Sequence, residues 1–278
     1  MPRGYLRLRE MLEGILSREE LDALPRRWQV IGDVLLVRID NVLEEHWSEI
    51  GDAFLTLYPW VKGVAIDCGV HGRLREPDIR VIAGEVGETF HRENGCIFKL
   101  DPSKVIFSPG NLTERVRISK LGGDEDVLDM FAGIGYFSIP MAKHARPRRI
   151  LAIELNPISF GYLVENIRLN HVEDIIQPLL GDCARLSPEG AFDRVIMGYL
   201  DAYQYLEQGI RALKEEGGIL HYHESVPARL YPERPVMRIM DLCKSLGRVC
   251  EIKQVRKVKK YAPGVLHAVV DAEIYENA

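Results

Sequence analysis

The chain reads as α/β: a parallel sheet covered by helices on both faces, preceded by a smaller α+β module. Three observations predict this. Over residues 111–278, short apolar runs alternate with helix-compatible stretches, as successive β–α units require. One unit, Asp129-Met130-Phe131-Ala132-Gly133-Ile134-Gly135-Tyr136-Phe137-Ser138-Ile139-Pro140, passes from a strand through a double-glycine turn into a helix. The last two apolar runs are joined at Ala262-Pro263-Gly264, a turn too short for a crossover, so they pair antiparallel.

The elements follow in order. From Trp28 to about Pro109, β-like runs occur at Val34 to Ile39, Val61 to Ile66, Val81 to Gly84 and Cys96 to Leu100, while Trp47, Ile50, Phe54 and Leu57 keep helical spacing within Glu44 to Tyr58. Gly69 to Pro77 has no periodicity and is expected to be a flexible loop. Ser108-Pro109-Gly110 punctuates the chain, which places the domain join near Gly110, dividing residues 1–110 from 111–278. Beyond it come a strand to Met130, a helix to His144, a strand to Glu154, a helix from Pro157 to Asn170 and strands Ile175 to Leu180 and Arg194 to Met197. A helix from Ala202 to Lys214, a strand from Gly218 to Tyr222, a helix from Pro232 to Leu246 and strands Val249 to Tyr261 and Val265 to Tyr275 complete the series. A parallel α/β sheet ending in an antiparallel hairpin is the plan of the class I methyltransferase, or Rossmann-like, fold.

Composition narrows the class. With 278 residues and 46% hydrophobic content, the chain can fill an ordinary core. No apolar run is long enough to cross a bilayer, and Met1-Pro2-Arg3-Gly4-Tyr5-Leu6-Arg7 lacks the apolar segment of a signal peptide, so a cytoplasmic location is expected. Cys68, Cys96, Cys183, Cys243 and Cys250 form no C-x-x-C pair and are expected to be mostly buried, with neither disulfide framework nor metal site. A net charge of −5 excludes a uniformly basic coat, yet cations cluster at Arg26-Arg27, Arg146 to Arg149 and Lys253 to Lys260.

The glycine turn carries the chemistry. Gly133 and Gly135 let the backbone turn tightly and approach a ligand. The next apolar run, Ile150 to Ile153, closes on Glu154, about 20 residues beyond the glycines, where a carboxylate can accept from both hydroxyls of a ribose. A glycine turn alone marks any tight βα connection; the turn with the acid describes a nucleoside held by its sugar. The dinucleotide fingerprint has a third glycine where this chain has Ser138. A ligand without phosphate, such as S-adenosylmethionine, suits the shorter turn better.

Two further strand ends matter. Gly181-Asp182-Cys183-Ala184 puts a carboxylate at the open end of the sheet, where Asp182 either caps the next turn or accepts from an adenine amino group. The fourth strand runs into Met197-Gly198-Tyr199-Leu200. Methyltransferases acting on amino groups usually carry a side-chain acceptor there, and this chain has none, which argues against ordinary N-methylation. Gly198 permits an unusual backbone, and Tyr199 is either a stacking platform for a base or plain packing. Tyr136 and Phe107 are further aromatic candidates for a base pocket.

Ala83-Gly84-Glu85, His91-Arg92-Glu93-Asn94-Gly95-Cys96, Phe98-Lys99-Leu100-Asp101, Phe107-Ser108-Pro109-Gly110-Asn111-Leu112-Thr113-Glu114-Arg115 and Asp129 to Pro140 together resemble the archaeal-type tRNA guanine-37 N1-methyltransferase superfamily. The resemblance runs from about Trp28 to the C-terminus. Gly110-Asn111-Leu112, the Met197-Gly198-Tyr199 turn and an expected lack of a further N-terminal domain are more similar to the superfamily's other branch, wybutosine-synthesising protein 2, whose members are tRNA aminocarboxypropyltransferases.

The resemblance implies that Ser108, Arg115, Glu154, Asp182 and Cys183 line an S-adenosylmethionine site beside Gly133 and Gly135, with Cys183 contributing mainly its backbone. Arg115 suits a two-pronged contact to the methionine carboxylate. Glu114 occupies the methyltransferases' catalytic position and, with Tyr199, is the catalytic candidate; its alternative is a surface residue in a helix's first turns. The implied reaction transfers the 3-amino-3-carboxypropyl group to 4-demethylwyosine at position 37 of tRNA(Phe), releasing methylthioadenosine. The alternative is N1-methylation of guanosine at that position. A tRNA-binding module with a vestigial cofactor fold and a nicotinamide dehydrogenase are more distant rivals. The expected partner is the anticodon region of tRNA, its phosphates met by the three basic clusters, with no membrane, no metal and a monomeric enzyme.

Overall fold

The computed structural model describes residues 3–276; Met1 and Pro2, which open the segment read for a signal peptide, lie outside them. The chain forms two compact units, Met1–Glu93 with Ile97–Pro109, and Asn94–Cys96 with Gly110–Ala278.

The first unit contains α1 (Arg3–Leu12), α2 (Arg18–Ala23), β1 (Trp28–Ile31), β2 (Val34–Val37), α3 (Trp47–Leu57), β3 (Gly63–His71), β4 (Glu76–Gly84), β5 (Thr89–Glu93) and β6 (Cys96–Leu100). Strands β1 to β4 make a four-stranded sheet in sequence order, and β5 and β6 pair separately. Its core gathers Leu8 and Leu12 of α1, Leu35, Ile50, Phe54 and Val64. Helices α1 and α2 precede the elements read from sequence, although α2 carries a legible start. Ser17 Oγ accepts from the Glu20 N–H at 3.3 Å, and Glu20 Oε2 accepts from the Ser17 N–H at 2.7 Å, the reciprocal S-x-x-E cap.

The segment from Gly69 to Pro77 is not a flexible loop. It closes an antiparallel hairpin in which Val70 pairs with Pro77 and His71 with Glu76. Residues on both faces of this tip are largely exposed, so pairing proceeds through main-chain bonds without the apolar alternation on which a strand reading depends.

The second unit comprises α4 (Leu112–Ile118), β7 (Asp126–Asp129), α5 (Ser138–His144), β8 (Arg149–Glu154), α6 (Pro157–Leu169), β9 (Ile176–Leu180), α7 (Cys183–Leu186), β10 (Arg194–Met197), α8 (Leu206–Ala212), β11 (Gly218–Pro227), α9 (Glu233–Ser245), β12 (Arg248–Ala262) and β13 (Val265–Glu276). Its seven strands run β12-β13-β11-β10-β7-β8-β9. The pairs from β11 through β10, β7 and β8 to β9 are parallel, and β13 joins β11 and β12 antiparallel. All four residues of β7 and of β10 are buried, as expected of strands covered on both faces. The order reverses at β7, between β8 and β10, and the crevice outside the carboxyl ends of such strands is where ligands bind in this architecture.

Strand β11 extends past Tyr222, the end that its apolar pattern predicts, to Pro227. Met197, the last residue of β10, stands beside Tyr222, which in turn pairs with Val270. Beyond that level Ser225, Val226 and Pro227 continue to pair with His267, Leu266 and Val265. A three-stranded projection results, with its own small core of Val226, Leu266 and Ala268 packed against Tyr231. No helix among the described residues is long and apolar enough to cross a membrane.

Candidate cofactor and substrate site

The glycine turn sits at the reversal point of the sheet. Gly133 has φ +59° and Gly135 φ +99°, the left-handed region that side chains with a Cβ avoid. Space adds a second constraint: a Cβ on Gly133 would lie 2.3 Å from the Tyr136 ring, and one on Gly135 would lie 2.3 Å from Ile139. The Gly133 N–H donates to Glu154 Oε2 at 2.7 Å, and the Asn156 N–H donates to Glu154 Oε1 at 2.7 Å. Burial raises the Glu154 pKa, and these backbone donors oppose that rise. Each carboxylate oxygen keeps a further lone pair. Glu154 is therefore an acceptor fixed by the turn it faces, the chemistry that ribose hydroxyls need.

Beneath the turn is a carboxylate that sequence reasoning did not assign. Asp129 is fully buried; its Oδ2 accepts from Ser138 Oγ at 2.5 Å and its Oδ1 from the Phe131 N–H at 3.3 Å. Burial pushes its pKa up to about 6, with the nearby Glu154 charge adding to the rise. Ser138, read only as a missing glycine, thus ties the first turn of α5 to the end of β7. An acidic residue closing an apolar strand immediately before the glycines was the available signal.

Asp182 takes the capping role, its Oδ1 accepting from the Ala184 N–H at 3.0 Å at the start of α7. Cys183 is 4% exposed and packs into the main core. Burial, and then the neighbouring Asp182, push its thiol up to about 12, so Cys183 supplies backbone and packing rather than a thiolate. Tyr199 packs against the same core and lies 5.2 Å from the Phe131 ring at 33°. Gly198 has no left-handed backbone. The glycine there leaves room for Phe137, whose ring would be 2.7 Å from a Cβ. Phe107 is 4% exposed and edge-on to His91 and Phe98, which removes it as a base platform. Ser108 is half-buried and falls in the first unit.

On the β11–β13 side, helix α4 carries Glu114 and Arg115, both buried, at 1% and 2% exposure. Glu114 is thus no surface residue. Arg117 Nη2 donates to Glu114 Oε1 at 2.5 Å, while its Nη1 and Nη2 donate to the two Asp271 oxygens at 2.6 and 3.0 Å. Arg256 approaches Glu114 from β12 at 3.6 Å. Burial would raise the Asp271 pKa, but His221 and Arg117 hold it down to about 2. Arg194, which can only donate, reaches His221 Nε2 at 2.6 Å, and His221 Nδ1 meets Asp271 Oδ1 at 2.6 Å. These partners require a neutral His221 with its proton on Nδ1, in keeping with the lowering that burial imposes on it. Beside this chain, His223 Nδ1 and His267 Nε2 lie 3.0 Å apart, and burial lowers both rings to about 3.

Two of the three basic clusters are partly paired with acids, while Arg26 and Arg27 are exposed. Lys253 is held by Glu251 at 2.8 Å and Glu273 at 2.6 Å. Arg148 and Arg149 both pair with Asp126, at 2.7 and 2.9 Å. Two carboxylates neutralise Lys253, whereas Arg148 and Arg149 share one and keep net positive charge between them. Lys257 and Lys260 are exposed and have no acidic partner among the described residues.

This arrangement has known counterparts. Residues 89–253 match the TRM5/TYW2 methyltransferase domain, and residues 8–87 match the TYW2 N-terminal domain. The chain is 38% identical to the tRNA(Phe) (4-demethylwyosine(37)-C(7)) aminocarboxypropyltransferase of Pyrococcus horikoshii, over 98% of this chain and 97% of that protein. A crystal structure of P. horikoshii TYW2 in complex with MeSAdo superposes with a TM-score of 0.86 at 37% identity, covering 98% of this chain and all of the other. The tRNA (guanine(37)-N(1))-methyltransferase Trm5b of Pyrococcus abyssi is also similar, 36% identical over 90% of this chain and 76% of its own length. The chain belongs to the TRM5/TYW2 family, and its N-terminal region carries that family's TYW2-type domain.

Proposed function

We propose that this protein transfers the 3-amino-3-carboxypropyl group of S-adenosylmethionine to C7 of 4-demethylwyosine at position 37 of tRNA(Phe), releasing methylthioadenosine in wyosine-derivative biosynthesis. The observation that carries the reading is likeness of nearly equal length to a relative named for that activity, joined to a fourth-strand turn without an acceptor side chain. Gly198 gives its space to Phe137, and Tyr199 lies against Phe131, so no carboxamide or carboxylate of that turn can take a proton from a ring nitrogen.

The residues of the turn fit an adenosyl ligand. Glu154, locked by the Gly133 and Asn156 amides, would accept from the ribose hydroxyls. Asp182, whose Oδ1 caps α7, would accept from the adenine amino group, with the Cys183 backbone alongside. Gly133 and Gly135 keep the cradle open. Arg115 would hold the methionine carboxylate. When bound, S-adenosylmethionine supplies an electrophilic carbon that already carries its leaving group, so the protein's task is placement. Tyr199 would border the acceptor base. Glu114, held between Arg117 and Arg256, keeps α4 and hence Arg115 in place; its catalytic role would be exerted through that position.

We further propose that the enzyme acts in the cytoplasm as a monomer and engages tRNA at its anticodon region. The test is mass spectrometry of tRNA(Phe) carrying 4-demethylwyosine after incubation with labelled S-adenosylmethionine. An added aminocarboxypropyl group with methylthioadenosine as co-product is expected. An added methyl group with S-adenosylhomocysteine would establish the methyltransferase instead.

A further inference from the structure

The three-stranded projection of β11, β13 and β12 presents a face that the cofactor site does not use. Directly opposed residues of antiparallel strands point to the same side. Lys257 stands opposite Ala268 and Lys260 opposite Leu266, so both lysines share the side on which Val226, Leu266, Ala268 and Tyr231 pack. Arg256, opposite Val269, and Lys259, opposite His267, point to the other side. At the hairpin turn the Ala228 N–H donates to the Gly264 carbonyl at 2.8 Å, so the exposed Arg229 follows at the same end of the projection.

An aromatic ring stands at the sheet end of this face. Tyr203 is 47% exposed, and the Arg238 guanidinium lies over its ring at 4.4 Å from the centroid. The pair is fixed from beneath by Glu224, which is 1% exposed. Glu224 Oε1 takes Arg238 Nη1 at 2.9 Å and Arg234 Nε at 2.7 Å, and its Oε2 accepts from the Tyr222 hydroxyl at 2.7 Å. Two guanidinium groups share one carboxylate, leaving positive charge around a ring already backed on one side. Tyr203 belongs to the 3₁₀ turn Ala202–Tyr205, and Tyr205 of that turn lies 5.3 Å from Phe131, next to the glycine turn. The face therefore begins beside the cofactor cradle and runs outward along the projection.

We propose that this face binds a single-stranded stretch of the RNA substrate adjoining the modified nucleotide, one base stacking on the open side of Tyr203 and the phosphates lying along Arg229, Lys257 and Lys260. The proposal rests on the tRNA reading above. Flexible RNA is read by stacking splayed bases on aromatic or guanidinium planes while cations track the backbone. A ring held by a buried carboxylate needs little ordering when the base arrives, and the packed core of the projection holds the cations in line.

The experiment measures binding of an anticodon stem-loop RNA, at several salt concentrations, to the native enzyme, Tyr203→Ala, Tyr203→Phe and the triple variant Arg229→Ala/Lys257→Ala/Lys260→Ala. Tyr203→Ala is expected to weaken RNA binding about tenfold and raise KM for RNA in proportion, with S-adenosylmethionine affinity unchanged. Tyr203→Phe, which keeps the ring, is expected to bind within about twofold of native. The triple variant is expected to reduce the slope of log affinity against log salt by about 2, at roughly 0.7 per cation on single strands. Native affinity and native slope in both Tyr203→Ala and the triple variant, with the native enzyme binding and modifying tRNA, would overturn this inference alone. A native enzyme that neither binds nor modifies RNA would overturn the proposed function with it.

Discussion

The two flanks of the site are made of different material. On the β7–β8 side, Glu154 is held by the amides of Gly133 and Asn156, groups that every chain possesses and that the glycine turn merely aims. On the β11–β13 side, Glu114, Arg117, Asp271, His221 and Arg194 form a buried chain of charged and polar side chains. Backbone donors cost nothing to desolvate beyond what folding already demands. Side-chain charges must each find a partner, because an unpaired buried charge is far more expensive than the pair. The first flank is accordingly tolerant of its surroundings but intolerant of a Cβ, while the second depends on every member of its chain.

Breaking the second flank is expected to have the largest effect. Arg117→Ala leaves both Glu114 and Asp271 without their main cation, and a loss of about 3–5 kcal/mol of stability is expected in urea unfolding. Loss below about 1 kcal/mol would mean that water reaches these carboxylates and that the flank is not sealed.

Asp129 sharpens the contrast through pH. Its folded pKa lies near 6 against 3.8 for the free side chain, so the folded state binds the proton more tightly. Its contribution is fully present below the lower value and is lost as pH rises through about 6, by on the order of 3 kcal/mol. Asp129→Asn should flatten the fall in stability between pH 4 and 8. A native and a variant curve of the same shape would show that Ser138 and the Phe131 amide fully compensate the charge.

Glu154→Gln presents an NH2 to one of two backbone donors and loses an acceptor. Calorimetry is expected to show S-adenosylmethionine affinity reduced about 10- to 150-fold, or roughly 1.5–3 kcal/mol, with RNA binding retained. The smallest effect is expected at Lys253. Its partners Glu251 and Glu273 already neutralise it, so Lys253→Ala should leave the salt dependence of RNA binding at the native slope. A shallower slope would return Lys253 to the phosphate-contacting set.

The cofactor flank was legible because its signals are local. A β–α turn rich in glycine and a strand-end acid mark themselves within a short stretch of chain, and Gly133, Gly135 and Glu154 stand together as that pattern requires. Asp182 lay open between two roles, and its capping bond is now in place. The other flank was hidden because its partners are far apart in sequence. Arg117 and Asp271 are separated by 154 residues, and no periodicity in either segment names the other. Lys253 shows the same limit in reverse: within the basic run it resembles its neighbours, and only the pairing of β12 with β13 sets Glu273 beside it. Similarly, the TYW2 and Trm5b relatives share the fold, so architecture alone does not choose the transferred group.

In the second unit the sequence by itself determined the order of the main strands and helices, the parallel sheet with its antiparallel end, and the glycine turn facing a strand-end acid. These follow from periodicity, glycine geometry and turn length, which act over a few residues. Only the tertiary structure decided which charges are spent on one another and which remain available, how far β11 runs past the parallel strands, and that Tyr203 is backed by a guanidinium. Those outcomes depend on long-range register and burial, where desolvation makes partnership obligatory but leaves the choice of partner to the fold.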